Sequence, residues 1–570
     1  MGDRSRYART GALVLLLLAW GCQDSGGSGG KTTRDAGASP GTAHDDDGGG
    51  DASDGDGASK FSPVLGDDPS MVTVAGGELE GDVVGDAVRF LGIPYAKPPV
   101  GALRWKAPQD VEPWDGVRHE SDFASPCPQP PSQQSPASTN EDCLYLNVWR
   151  PNEKMAGAPV MVWFHGGGFT TGSAADLVPT STDHLWYDGQ AFAEHGVVLV
   201  TLNYRLGVMG FFPHRALGDE GSPVGNQGLL DQRKALQWVH DNIAAFGGDP
   251  DNVTIFGQSA GSGSVCMHVA SPGSRGLFQR AISESGGCTG PDTTDRAMID
   301  AQLDQFASDH GCEGDDVLKC LRDKPASELV SMDMVDRTMG MDALRAAFSF
   351  RPVVDGKGGF LPEPAVDLFD RGEVAKVPYI LGSTTDEAQL YYISATVPTS
   401  DDEYAAYIAD KYGDFADRVL EMYPISKFDG DYRKAVARIA TDSGIVCSTL
   451  DTARRAVRAG LPVYMYNFNI PWSVSPALFG ACHVSEISLV FDSPYNETDE
   501  NLPVAHAMNA YWASFAKTGD PNYDGAPAQW PRFMPDESDG DVRLQFDTGY
   551  ELLHSFRNEE CALWSDYAAQ

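Results

Sequence analysis

The chain is poor in positive charge. It has 42 Lys and Arg against 81 Asp and Glu among 570 residues, a formal net charge of −39. Such a surface repels polyanions, which argues against nucleic acid or an anionic membrane surface as a partner. Apolar runs long enough to cross a bilayer are also missing, because the longest, Gly11 to Trp20 ("GALVLLLLAW"), has only ten residues. There is no "HExxH" and no zinc-type cysteine spacing, and no metal or cofactor is expected. There is no "GxxxxGKS" either, which removes the nucleotide-phosphate loop. Neither an internal repeat nor a second linker interrupts the chain after about residue 62.

What is present begins with an export pattern. Arg4, Arg6 and Arg9 precede the short apolar run, and the run ends in "AWGC" at Cys22. Residues 1–22 therefore read as a signal peptide of lipoprotein type with Cys22 as the lipidated residue, although Trp20 is bulky for that pattern. An ordinary secretory signal is the alternative. Residues 23–62 are dominated by Gly, Ser and Asp and hold almost nothing to bury, so they read as a flexible tether. Export to a bacterial envelope, with membrane contact only through lipid on Cys22, is the expected location.

Residues 63–570 carry the globular composition. Apolar, β-branched runs recur at Ala158–His165, Gly196–Arg205, Asn252–Ser259, Arg280–Ser285, Val377–Ser383 and Leu461–Phe468. They do not alternate with polar residues, so both faces of each strand are expected to be covered, as in a mainly parallel sheet. Helical patterns at Asn226–Phe246 and near Asp402–Tyr412 lie between them, giving an α/β class.

One strand ends in "VTIFGQSAGSGSV". Gly257-Gln258-Ser259-Ala260-Gly261 fits Gly-x-Ser-x-Gly between strand and helix, a turn so tight that side chains at 257 and 261 would collide with backbone. Ser259 is the candidate nucleophile, and the following helix N-terminus favours developing negative charge. "WFHGGGF" (Trp163 to Phe169) follows another strand. Its Gly167 and Gly168 N–H groups, with that of Ala260, are the candidate oxyanion hole.

A serine nucleophile needs a base, and the base needs an orienting acid. Five histidines follow Ser259. His268 lies too far along the elbow helix, and His310 and His506 sit in helical contexts. His483, in "FGACHVSEISLVF" after the late strand, is favoured. For the acid, "ILGSTTDEAQLYY" offers adjacent Asp386 and Glu387, and residue chemistry does not choose between them.

With "FLGIPYAKPPVGALRWKAP", "EDCLYLNVW", "HGGGF", "LNYRLGVMGFF", "GQSAGS", "LGSTTDEA", "CHVSEISLVF" and "WASFAKTGDPN", the chain resembles the type-B carboxylesterases, the carboxylesterase, cholinesterase and lipase group of α/β-hydrolases. The resemblance spans the globular part. It implies the α/β-hydrolase fold, a small-molecule ester substrate, and Ser259, Glu387 and His483 as nucleophile, acid and base. It also implies an Arg104–Glu141 ion pair, a supporting carboxylate at Glu486, and Gln258 where many members carry Glu.

Of the ten cysteines, Cys127–Cys143 and Cys312–Cys320 read as local bridges and match two of the family. The resemblance adds Cys447–Cys561. Cys266 is then expected to be a free buried thiol, with Cys288 and Cys482 either bridged or separate. The Cys127–Cys143 loop contains no tryptophan, which weighs against a cholinesterase. Ester hydrolysis is the leading expectation. A non-catalytic adhesion or binding member of the same fold and, among enzymes, a long-chain lipase are the alternatives.

Mass spectrometry of the mature protein from a bacterial host should find an N-terminal, acylated Cys22. A free N-terminus downstream of Cys22 would leave a secreted enzyme instead.

Overall fold

The computed structural model describes residues 64–65 and 68–569, apart from 133, 179–180, 182–183, 289–295, 331–349, 474 and 494–497. The signal peptide, Cys22 and the tether lie outside the described residues.

The recurrent apolar runs become the strands of one eleven-stranded sheet. In chain order these are β1 (Asp82–Val84), β2 (Ala87–Pro94), β3 (Tyr145–Pro151), β4 (Ala158–Phe164), β5 (Val198–Leu202), β6 (Gly248–Gln258), β7 (Arg280–Glu284), β8 (Tyr379–Thr384), β9 (Val463–Phe468), β10 (Val542–Phe546) and β11 (Leu552–His554). The spatial order is β11-β10-β9-β8-β7-β6-β4-β5-β3-β2-β1. Pairing is parallel from β10 through to β5 and antiparallel at both ends. The six runs read from sequence correspond to β4–β9. The outer strands were not foreseen, because their residues are shorter-patterned and mix Gly and charge into the run. A four-stranded sheet of Val64–Leu65, Met71–Val74, Gly77–Glu80 and Val117–His119 stands beside it.

The absence of alternation has a direct cause. Val160, Val162 and Phe164 of β4 and Val253 and Ile255 of β6 enter one core. Met161 and Trp163 of β4 and Phe256 of β6 enter a second core on the opposite face. Apolar residues of these strands thus point to both faces because each face is packed. Helix α1 (Gln227–Asn242) covers the first core through Leu229, Leu236 and Val239. Helix α2 (Ala260–Ala270) is buried along its whole length. Helix α3 (Leu502–Thr518) covers the second core through Met508, Tyr511, Trp512 and Phe515. No described helix is long and apolar enough to cross a membrane.

Two buried ion pairs tie loops to this frame. Arg205 donates from Nε and from a terminal nitrogen to Asp231 of α1, each at 2.7 Å, with both side chains almost fully buried. Arg104 and Glu141 form the expected pair, at 2.8 and 2.5 Å, and Arg104 also donates to the carbonyls of Leu321 and Lys324.

Disulfides join Cys127–Cys143, Cys312–Cys320 and Cys447–Cys561. The remaining expectation is corrected. Cys266 is not free: it is bridged to Cys288, with Cα atoms 5.6 Å apart, and Cys482 is a free buried thiol. The reason is packing. Helix α2 lies along β7, so Cys266 meets the segment that leaves β7, whereas Cys482 is held on the segment that leaves β9. Four disulfides are the pattern of a chain that folds in an oxidising compartment.

Candidate active site

The carboxyl ends of the parallel strands all face one edge of the sheet, where open α/β folds place their ligands. Ser259 follows β6, the glycine loop follows β4, Glu387 lies three residues beyond β8, and His483 comes in the connection after β9.

Ser259 has φ +59° and ψ −120°, a strained combination for a residue with a side chain. It is half-buried, and its N–H donates to the carbonyl of Glu284 at 2.9 Å. The flanking glycines are explained by contact. A Cβ on Gly261 would sit 1.9 Å from the Phe164 carbonyl oxygen, and one on Gly257 would sit 2.6 Å from the same atom. The elbow is thus pressed onto the end of β4. The glycine loop continues from there, and a Cβ on Gly166 would lie 3.2 Å from the Cβ of Ser259. Gly167 and Gly168 adopt φ +101° and +63°. Among the described residues, the N–H groups of Gly167, Gly168 and Ala260 donate to no protein acceptor.

His483 is buried, and its Nδ1 lies 2.6 Å from Oε2 of fully buried Glu387. The other oxygen of Glu387 accepts the Thr384 N–H at 2.7 Å. Asp386 goes elsewhere: it pairs with Arg438 at 2.8 Å and accepts the Ala481 N–H, stapling the His483 segment in place. Of the two adjacent acids, Glu387 meets the imidazole and Asp386 does not. Val484, directly after His483, has φ +76°, a conformation that a β-branched residue rarely takes.

The Nε2 of His483 has its polar contact with the Gln258 side-chain nitrogen at 3.3 Å, and that nitrogen is 3.4 Å from Nδ1. Gln258 therefore sits against the ring rather than on one lone pair. Among the described residues no hydrogen bond joins Ser259 Oγ to His483. Such bonds commonly tighten only when substrate is bound. Burial pushes the His483 imidazole down, but the charge and hydrogen bond of Glu387, with help from Glu486, carry it above its ordinary value.

Three of the other histidines that follow Ser259 have partners elsewhere. His268 is buried between Ser274 and Gln232, and His506 is exposed and paired with Asp492. His310 bonds the carbonyls of Phe306 and Glu328. His165 of the glycine loop is buried, contacts the Gly166 carbonyl and stacks on Tyr204. Burial holds it down at about 4, so it stays neutral.

Behind His483 stand Glu486, the supporting carboxylate that the resemblance implied, and Glu284, which sequence reasoning missed. Glu486 accepts from Ser285 Oγ at 2.7 Å, and Glu284 accepts from Trp512 Nε1 at 2.8 Å. Both carboxyl groups are fully buried. The available signal was a glutamate closing an otherwise apolar strand, in "RAISES". Among the described residues no group of His, Cys, Asp and Glu is arranged to hold a metal ion.

A strained serine turn and a buried Glu–His pair at the carboxyl edge of such a sheet belong to the α/β-hydrolase class. The chain belongs to the carboxylesterase family, whose model matches residues 68–564. Fumonisin B1 esterase of Sphingopyxis macrogoltabida is a relative, 36% identical over 485 residues that make up 82% of this chain and 85% of that protein. The protein is accordingly a carboxylic-ester hydrolase.

Gly261→Ala should destabilise the fold, because the added methyl must displace backbone rather than a flexible side chain. A loss of about 3 kcal/mol is expected, read as a lowered urea midpoint. An unchanged midpoint would show that the elbow can move off β4 at no cost.

Proposed function

We propose that esters are cleaved through an acyl-enzyme, with Ser259 as nucleophile, His483 as base and Glu387 as the orienting acid. The observation that carries this reading is the 2.6 Å contact between His483 Nδ1 and Glu387, made beside the strained turn that presents Ser259. With Nδ1 committed to Glu387 as a donor, the other ring nitrogen keeps its lone pair and can take a proton.

Ser259 Oγ attacks the ester carbonyl as His483 Nε2 accepts the hydroxyl proton. The oxyanion that forms accepts hydrogen bonds from the N–H groups of Gly167, Gly168 and Ala260. Donors aimed at developing charge contribute about 3–4 kcal/mol each to such steps. Collapse of the intermediate breaks the ester C–O bond. The departing alkoxide takes the proton from His483 and leaves as alcohol. Water then attacks the acyl-enzyme, His483 accepts its proton, and collapse releases the acid and restores Ser259.

For substrate, the fumonisin B1 esterase relative makes fumonisin B1 one ester to assay, beside p-nitrophenyl esters of graded acyl length. A choline ester is not favoured. Gln258 supplies no charge beside Ser259, and the Cys127–Cys143 loop has no tryptophan to face a quaternary ammonium. We place the enzyme outside the cytoplasm, held at the envelope through lipid on Cys22.

Ser259→Ala should fold normally and lose at least about 10⁴-fold in kcat. Retention of more than a few per cent of turnover would remove Ser259 from the mechanism.

The base must be neutral to act, so activity is lost as pH falls through the His483 midpoint. That midpoint lies above the ordinary histidine value of about 6.5, because Glu387 and Glu486 favour the imidazolium. Single-turnover rates that stay flat between about pH 5 and pH 8 would exclude His483 as the base.

A further inference from the structure

Three carboxyl groups are buried where β7, β8 and β9 end. Glu284, Glu387 and Glu486 are all fully buried. Glu387 has a partner for each oxygen, in Thr384 and His483. The other two are half-satisfied. Oε1 of Glu284 accepts from Trp512, and Oε1 of Glu486 accepts from Ser285, while Oε2 of each has no hydrogen-bond partner among the described residues. A buried carboxylate oxygen without a donor is costly, and two neighbouring ones cannot both carry charge. The groups lie on adjoining segments: Ser285, which donates to Glu486, directly follows Glu284, and Trp512, which donates to Glu284, packs on Tyr466 of β9.

Every other polar group turned toward this pocket is a poor source of compensation. Tyr466 of β9 presents a buried hydroxyl with no hydrogen-bond partner among the described residues, and burial together with the three carboxylates makes its phenol hold its proton. Cys482 is a buried thiol held protonated by burial and by Glu486 and Glu387, and Tyr187, which senses Glu284, is likewise kept neutral. Asp386 is turned to Arg438. Among the described residues, the one group near these carboxyls that can become a cation is His483, once protonated. Charge balance therefore has to come from a proton on a carboxyl group.

We propose that Glu284 is protonated at rest while Glu486 is charged, and that this proton lets Glu486 act behind His483 as a positioning residue. Glu284 then has no charge to contribute and serves as a donor. Its backbone carbonyl also accepts the Ser259 N–H, so the same residue braces the elbow and neutralises the pocket beneath it. When His483 takes the serine proton, Glu387 and Glu486 both face the imidazolium, and the proton on Glu284 keeps the pocket from carrying a third negative charge.

The direction of the shifts agrees with this. Burial first, and then the Glu486 charge, raise the Glu284 carboxyl well above the usual range, against the Trp512 hydrogen bond. Burial and Glu387 raise Glu486 as well, but the Ser285 hydroxyl and His483 oppose them. Glu284, with no cation beside it, is the better place for the proton.

The test uses the full chain and two substitutions, Glu284→Gln and Glu486→Gln. Glutamine keeps the acceptor for Trp512 and offers an N–H where a protonated Glu284 would donate. Infrared difference spectra at neutral pH should show the carbonyl band of a protonated carboxylic acid in the parent and its loss in Glu284→Gln. In the pH profile of kcat/KM, Glu284→Gln should leave the acid limb in place and kcat/KM within about threefold, whereas Glu486→Gln should move the limb to lower pH. A parent spectrum with no protonated-acid band, or a Glu284→Gln acid limb that moves as far as that of Glu486→Gln, overturns the proposal. If Glu284→Gln does not fold, the parent labelled with ¹³C-glutamate gives the infrared reading alone. The kinetic arm rests on His483 being the base. The infrared arm does not, so the two readings can fail separately.

Discussion

The contact on which the site depends is the one between the serine turn and the carbonyl of Phe164. Parallel register sets Gly257 opposite Phe164, and the next turn carries Gly261 over the same oxygen with no room for a Cβ. Because β4 ends there, the glycine loop that follows must start within contact of Ser259. One close approach thus places a candidate nucleophile and candidate oxyanion donors together, although they are almost a hundred residues apart in the chain. The strain at Ser259 is sustained by packing on all sides: α2 is buried throughout, the Cys266–Cys288 bridge anchors it, and Glu284 holds the Ser259 N–H.

A second constraint is electrostatic. The site buries acids beside the His483 imidazole. Glu387 is satisfied by a backbone N–H and by His483, so its charge is directed and the imidazole is fixed in one orientation. Glu284 and Glu486 extend that logic inward. A carboxyl group that stays protonated acts as a donor, and where no Lys or Arg among the described residues pairs with these carboxyls it limits how much negative charge accumulates. The overall charge of −39 is a separate matter. It is spread over solvated surface and screened by salt, whereas the three buried carboxyls act at short range in a low dielectric.

The supporting residues divide the labour by position. Asp386 and Arg438 hold the segment before His483, Arg205 and Asp231 hold the loop after β5 to α1, and Arg104 and Glu141 hold the region near the first disulfide. Each ion pair secures a loop whose backbone cannot be held by sheet or helix hydrogen bonds. Breaking the fully buried Arg205–Asp231 pair would leave an uncompensated buried charge, which is why such a pair specifies a geometry more than it adds net stability.

Much of this was legible in the residue order because it rests on local rules. Unbroken apolar runs require two covered faces, and the two cores on opposite sides of β4 and β6 are what that requirement looks like when met. Glycines at 257 and 261 announce a backbone collision, and the collision is there. What the chain could not reveal depends on where distant segments meet. Asp386 and Glu387 are chemically alike and adjacent. Only the arrival of His483 from the connection after β9 separates the one that faces the imidazole from the one that clamps Arg438. Cys266 met Cys288 because α2 packs along β7, and no spacing rule encodes that contact. Glu284 looked like the end of a strand until Trp512, more than two hundred residues later, was found to donate to it. Local backbone geometry is written in neighbouring residues, while the pairing of buried charges is decided by packing between segments that share no sequence signal.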